Sequence, residues 1–140
     1  MLGDYPINPV LLAKDLAAAR EFYHTQLGLE IISENEKEIV FRCGGGTRLE
    51  VSKSTTGTAD TQTQATWFVE NLQAEVAYLR SRGVNVENYD LPDLKTEGGI
   101  ADFGFALAAW IIDPGKNALG IVQLKNELNG AAPSSTKSDR

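Results

Sequence analysis

The 140-residue chain has one cysteine, one histidine and one methionine. With Cys43 alone no disulfide can close within the chain, which fits a reducing compartment. With His24 alone, imidazole-rich metal sites have little to draw on. Positive charge is scarce as well: 13 Lys and Arg stand against 19 Asp and Glu, a net charge of −6. That balance argues against a nucleic-acid backbone or an anionic membrane as partner, and no basic cluster with interleaved aromatics offsets it. No apolar run approaches the ~18 residues that a membrane span needs. The opening, MLGDYPINPV, has neither the basic nor the apolar segment of a signal peptide. These absences together lead us to expect a cytoplasmic protein. The end, residues 128–140, is small, polar and charged. We expect it to be a flexible tail, because it cannot bury enough apolar area to order itself.

What remains is a chain with ordinary globular composition, 42% hydrophobic and 23% charged. One domain over residues 1–127 is expected. Within it the sequence repeats. Asp15-Leu16-x-Ala18 matches Asn71-Leu72-x-Ala74 at an offset of 56. Asp15 and Asn71 are good helix N-caps, because a short side-chain oxygen can accept from the first turn's orphan amides. Leu16, Ala19, Tyr23 and Leu27 keep helical spacing in the first copy, and Leu72, Val76 and Leu79 do so in the second. Gly28 and Gly83 sit where a left-handed terminating residue is wanted.

Short strand-like runs surround each helix. PVLLA precedes the first, and EIIS, EIVFRC and RLEVS follow it. ATWFV precedes the second, and VNVENY, LAAWIID and LGIVQL follow it. Gly44-Gly45-Gly46 reads as a hairpin turn, since no helix follows to make it a phosphate cradle. Asp113-Pro114-Gly115-Lys116-Asn117 is the matching turn of the second half. Each half therefore reads strand, helix, strand, strand, strand. The expected fold is α+β: two βαβββ modules, about residues 7–53 and 63–125, forming a curled, mostly antiparallel sheet around a cavity with helices outside. Residues 89–105 form the one large insertion and suggest a lid or binding loop.

Two βαβββ halves carrying DLAAAREFYHTQLGLEI and DPGKNALGIVQL resemble the vicinal oxygen chelate superfamily. That group holds glyoxalase I, bleomycin-resistance proteins, fosfomycin-resistance enzymes and extradiol dioxygenases. The resemblance covers about residues 7–125, and its motifs speak for the fold more than for any one activity. It implies four positions where the family's metalloenzymes hold their ion. In the resembling enzymes the first-strand ligand lies seven residues before the helix cap, which here gives Asn8 and Gln64. The last strand of each half supplies Glu50 and Gly120. Two carboxamides, one carboxylate and no side chain make a poor set for a divalent first-row metal. We therefore expect no cofactor, with a weakly held divalent ion at Glu50 and Gln64 left open. The missing side chain at Gly120 is expected to enlarge the cavity.

Strand alternation then selects the wall. Asn8 brings Val10 and Leu12, Gln64 brings Thr66 and Phe68, and Glu50 brings Arg48 and Ser52. The family's parity points Trp110 and Ala108 inward, while Tyr89, Phe103 and Phe105 on the insertion are placed to close over them. Asn8, Arg48, Glu50, Gln64, Phe68, Tyr89 and Trp110 are the ligand-binding candidates, and a pocket of this composition suits a small molecule. Each has a plainer reading: Phe68 and Trp110 as core, Arg48 and Glu50 as an ion pair, Asn8 and Gln64 bonded to nearby backbone. His24 is expected to face solvent. The function that follows is metal-free binding, such as sequestration of a drug or metabolite. The alternative is a lyase- or isomerase-like or dioxygenase-like enzyme using Glu50 as acid or base, with or without a weakly bound metal. The resemblance also implies a homodimer.

Overall fold

The computed structural model describes residues 1–55, 57–58 and 62–125. The expected tail, 128–140, lies outside the described residues. Among the described residues the fold is α+β, with two four-stranded sheets, neither of them closed, and two α-helices. The described residues form two compact units: those within 1–58 together with the turn 113–117, and residues 62–112 with 118–125.

In the first unit, β1 (Val10–Ala13), β2 (Glu30–Glu34), β3 (Glu38–Arg42) and β4 (Arg48–Lys53) make a sheet in the order β1-β4-β3-β2. β1 runs parallel to β4, and the other pairings are antiparallel. Alternation sorts the strands cleanly. Leu11, Ala13, Ile39, Phe41, Leu49 and Val51 are buried on one face. Val10, Val40, Glu50 and Ser52 share the other through their register, and Val10 is 54% exposed. The triple-glycine turn folds β3 onto β4 with Gly45 and Gly46 at positive φ, 66° and 79°, where a Cβ would be strained.

Helix α1 (Leu16–Arg20) starts at Asp15, whose carboxylate accepts from the Ala18 amide at 3.1 Å. It continues as a wider π-type turn over Glu21–Gln26, closed by the Leu27 amide on the Phe22 carbonyl at 2.9 Å. The expected stripe of Leu16, Ala19, Tyr23 and Leu27 needs correction for this reason. Ala19 and Tyr23 are buried, but so is Phe22, while Leu16 and Leu27 are only half-buried. The wider turn lets two consecutive aromatics enter one core, where their rings meet edge to face at 5.0 Å.

In the second unit, β5 (Thr63–Phe68), β8 (Ala101–Asp102), β9 (Ala106–Ile112) and β10 (Ala118–Leu124) repeat the arrangement in the order β5-β10-β9-β8. Helix α2 (Leu72–Ser81) is capped by Asn71, whose oxygen accepts from the Ala74 amide at 3.0 Å, and it buries Leu72, Val76 and Leu79 as expected. Gly28 and Gly83 both end their helices at positive φ, 80° and 82°.

The VNVENY segment is not a strand. Val84 and Val86 are buried, and that burial wrote the alternating pattern. The segment joins the sheet through the Glu87 amide on the Trp110 carbonyl at 2.9 Å, without forming a ladder. The edge strand of the second sheet is instead β8, supplied from inside the insertion. The rest of the insertion folds into a small hairpin of β6 (Asp90–Leu91) and β7 (Leu94–Lys95).

Candidate functional site

The four family positions divide evenly between the units, and the repeat equates them two by two. Asn8 precedes β1, and its side-chain oxygen accepts from the Arg48 amide, the first residue of β4, at 3.0 Å. Gln64 does the same in the second unit, accepting from the Ala118 amide, the first residue of β10, at 3.2 Å. Glu50 and Gly120 then lie two residues into those strands. Both carboxamides hold the start of a strand, which is the plainer of the two readings their positions allow.

Glu50 does not pair with Arg48. Its carboxylate accepts from the Ser52 hydroxyl at 2.9 Å. Its other neighbour is Glu38, whose carboxyl hydrogen-bonds to Glu50 and is raised in pKa, first by that bond and then by the Glu50 charge. Alternation did put Arg48 and Glu50 on one face, but the exposed guanidinium has no low-dielectric reason to fold back onto the carboxylate. Glu38 was missed in the sequence, although a signal existed. The Gly44–Gly46 hairpin pairs Arg42 with Arg48, and the same register places Val40 opposite Glu50 and Glu38 opposite Ser52.

Gly120 is not a vacancy. A Cβ there would meet Thr66 Oγ1 at 3.1 Å and Thr63 Cγ2 at 3.3 Å, so two threonines already occupy the space. The expected enlargement of a cavity at Gly120 is therefore corrected. A shift of register between Ala118 and Leu119 brings both Thr63 and Thr66 to this face, and nothing in the sequence marks that bulge. Thr63 has a second role: its hydroxyl accepts from the Trp110 indole N–H at 3.1 Å.

Trp110 is the centre of an aromatic cluster in the second unit. It sits half-exposed on β9, opposite Gly120 in the ladder. Tyr89 stands perpendicular to it at 5.6 Å between ring centroids, and Phe103 likewise at 6.4 Å. Phe105 extends the group from Phe103 at 6.5 Å and is 69% exposed. Phe68, paired through Val122 to Ala108, shares Trp110's face of the sheet and is 70% exposed. Burial, reinforced by the Glu87 charge, pushes the Tyr89 phenol up in pKa, so it stays neutral. Phe68 is thus not core, and Trp110 only partly so.

His24 is exposed, its Nδ1 within 2.8 Å of the Leu29 carbonyl oxygen. Among the described residues no group of three or more His, Cys, Asp or Glu side chains is arranged to hold a metal ion. Of the implied ligands, Asn8 and Gln64 have their oxygens engaged with backbone amides and Gly120 has no donor. That donor set does not fit a divalent first-row metal.

The sequence model of the Glyoxalase/Bleomycin resistance protein/Dioxygenase superfamily matches residues 7–119. The chain belongs to that superfamily. Solved structures of the same fold include a glyoxalase/bleomycin resistance protein/dioxygenase from Alicyclobacillus acidocaldarius, 17% identical with a TM-score of 0.69, over 89% of this chain and 95% of that one. A lactoylglutathione lyase from Agrobacterium tumefaciens is 22% identical with a TM-score of 0.60, over 90% and 96%. An antibiotic-binding protein from Streptomyces is 18% identical with a TM-score of 0.59, over 86% and 98%. At these identities the likeness shows the fold alone. No curated protein sequence matches the chain.

Proposed function

We propose that this chain is a small-molecule-binding protein of the glyoxalase/bleomycin-resistance type that works without a metal. It would sequester a drug or metabolite in the cytoplasm, as a homodimer. The observation that carries the reading is the half-exposed Trp110 with Tyr89 and Phe103 perpendicular to it and Phe68 on the same face. Aromatic surface left open to water in this concentration is the usual mark of a binding site. Phe68, Tyr89 and Trp110 would supply contact area. In the same unit the amide NH2 group of Gln64 would supply a polar contact, while Asn8, Arg48 and Glu50 are the polar candidates of the first unit. The donor set at the family's metal positions supports a metal-free site, and the solved antibiotic-binding protein is a precedent at the level of fold.

Tryptophan fluorescence tests the reading. A library of planar aromatic ligands should contain members that quench the wild type and fail to quench Trp110→Leu. Equal quenching in both proteins, or none in either, overturns it.

One observation favours a second reading, an enzyme using Glu50. Its carboxylate touches a neighbouring carboxyl, Glu38, whose proton is held above the usual carboxylate range. Two neighbouring carboxyls can divide the general-acid and general-base roles between them. Glu50→Gln discriminates: an enzyme loses about 100-fold or more in turnover while retaining its ligand, whereas a binder loses no activity because it has none.

A further inference from the structure

The chemistry around Trp110 selects the charge of what binds there. The indole N–H already donates to Thr63, so Trp110 offers its ring face rather than a hydrogen bond. Tyr89 and Phe103 add two more rings perpendicular to it. The faces of such rings carry negative electrostatic potential and attract cations. The segment that delivers these flanking rings is acidic. Residues 85–105 hold Glu87, Asp90, Asp93, Glu97 and Asp102 against the single base Lys95. Lys95 lies 3.7 Å from Asp90, and Asp102 is paired to Lys125 at 2.9 Å. Glu87 is half-buried, adjoins Trp110 through its own backbone, and takes only the neutral Asn85 amide on its carboxylate. Its charge is felt at the Tyr89 ring. No ion pair to Glu87 is formed among the described residues.

We infer that the Trp110 site takes an organic cation, a flat or compact group carrying an ammonium or quaternised nitrogen, with Glu87 as its counter-charge. The inference rests on the binding reading above and adds the charge class of the ligand. A neutral aromatic of the same shape gains only the contact area. An anionic one meets both the ring faces and Glu87 with the wrong sign.

Three probes of one shape test it by isothermal titration at pH 8: N-methylquinolinium, quinoline and quinoline-4-carboxylate, which are cationic, neutral and anionic there. The cation should bind about tenfold more tightly than quinoline, and the carboxylate more weakly than both. Glu87→Gln should remove about three- to tenfold from the cation's affinity and leave quinoline unchanged. Trp110→Leu, with its fold checked by circular dichroism, should weaken both. If quinoline binds as tightly as the cation, or Glu87→Gln leaves the cation's affinity unaltered, the charge class is wrong and the binding reading survives. If none of the three binds at millimolar concentration, both fail.

Discussion

Asp113 is a buried carboxylate without a cation beside it, only 3% exposed, in the turn between β9 and β10. Its oxygens accept from three donors: the Tyr23 hydroxyl at 2.6 Å, the Asn117 amide at 2.7 Å and the Asn117 side-chain NH2 at 2.8 Å. Asn117 is itself fully buried and spends its second side-chain proton on the Leu12 carbonyl at 2.9 Å. Burial, followed by the Asp113 charge, drives the Tyr23 phenol far up in pKa, so its proton remains on Tyr23 across the working range. The donor therefore never turns acceptor. Tyr23→Phe removes one of three donors to a buried charge and should cost about 2 kcal/mol. Asp113→Ala strands three donors at once and should cost about 3–5 kcal/mol. Urea denaturation measures both, and an unaltered midpoint for Tyr23→Phe would contradict the account. In sequence, Asp113 and Asn117 were readable as turn formers because their side chains suit tight turns. Their partnership with Tyr23 was not, because a contact across 90 residues leaves no local periodicity.

The elements show which local signals survive folding. Caps and terminating glycines were legible at Asp15, Asn71, Gly28 and Gly83, because each satisfies its neighbours' backbone and needs nothing from afar. The burial of Leu72, Val76 and Leu79 was legible for the same reason. The second edge strand was not. VNVENY has the alternation of a strand because Val84 and Val86 point inward, yet the two-residue β8 holds the edge. Alternation reports which side chains are buried, while pairing depends on which backbone lies in register beside the ladder. The candidate site divides the same way. Asn8, Glu50 and Gln64 were singled out as the positions the family resemblance implies, counted from caps and last strands, and Trp110 by the family's strand parity. Thr63 depends on a β-bulge and Glu38 on a cross-strand register, so neither stood out in the linear sequence.

At the scale of the whole molecule the charge is −6 and no helix among the described residues is long and apolar enough to cross a membrane. Apolar side chains nevertheless stand open on the first unit's sheet, Val10 and Leu12 at 54% and 38% exposure. A second copy of the chain is the occupant the homodimer proposal requires. Light scattering after size exclusion should give about twice the 15.2 kDa of one chain. Leu12→Glu should shift that mass toward one chain while circular dichroism stays native, and a wild type that elutes at the mass of one chain counts against the dimer. The two copies of the repeat differ by one residue in their helices. From cap to terminating glycine the first copy spans 14 residues, Asp15 to Gly28, and the second 13, Asn71 to Gly83. The wide turn over Glu21–Gln26 is where the surplus residue is housed. The first helix thus carries one residue more than the second between cap and glycine, accommodated in a single wide turn. Deleting one residue from that turn is the shortest edit that would make the two helical segments match in length, and it would force Phe22 or Tyr23 out of the core.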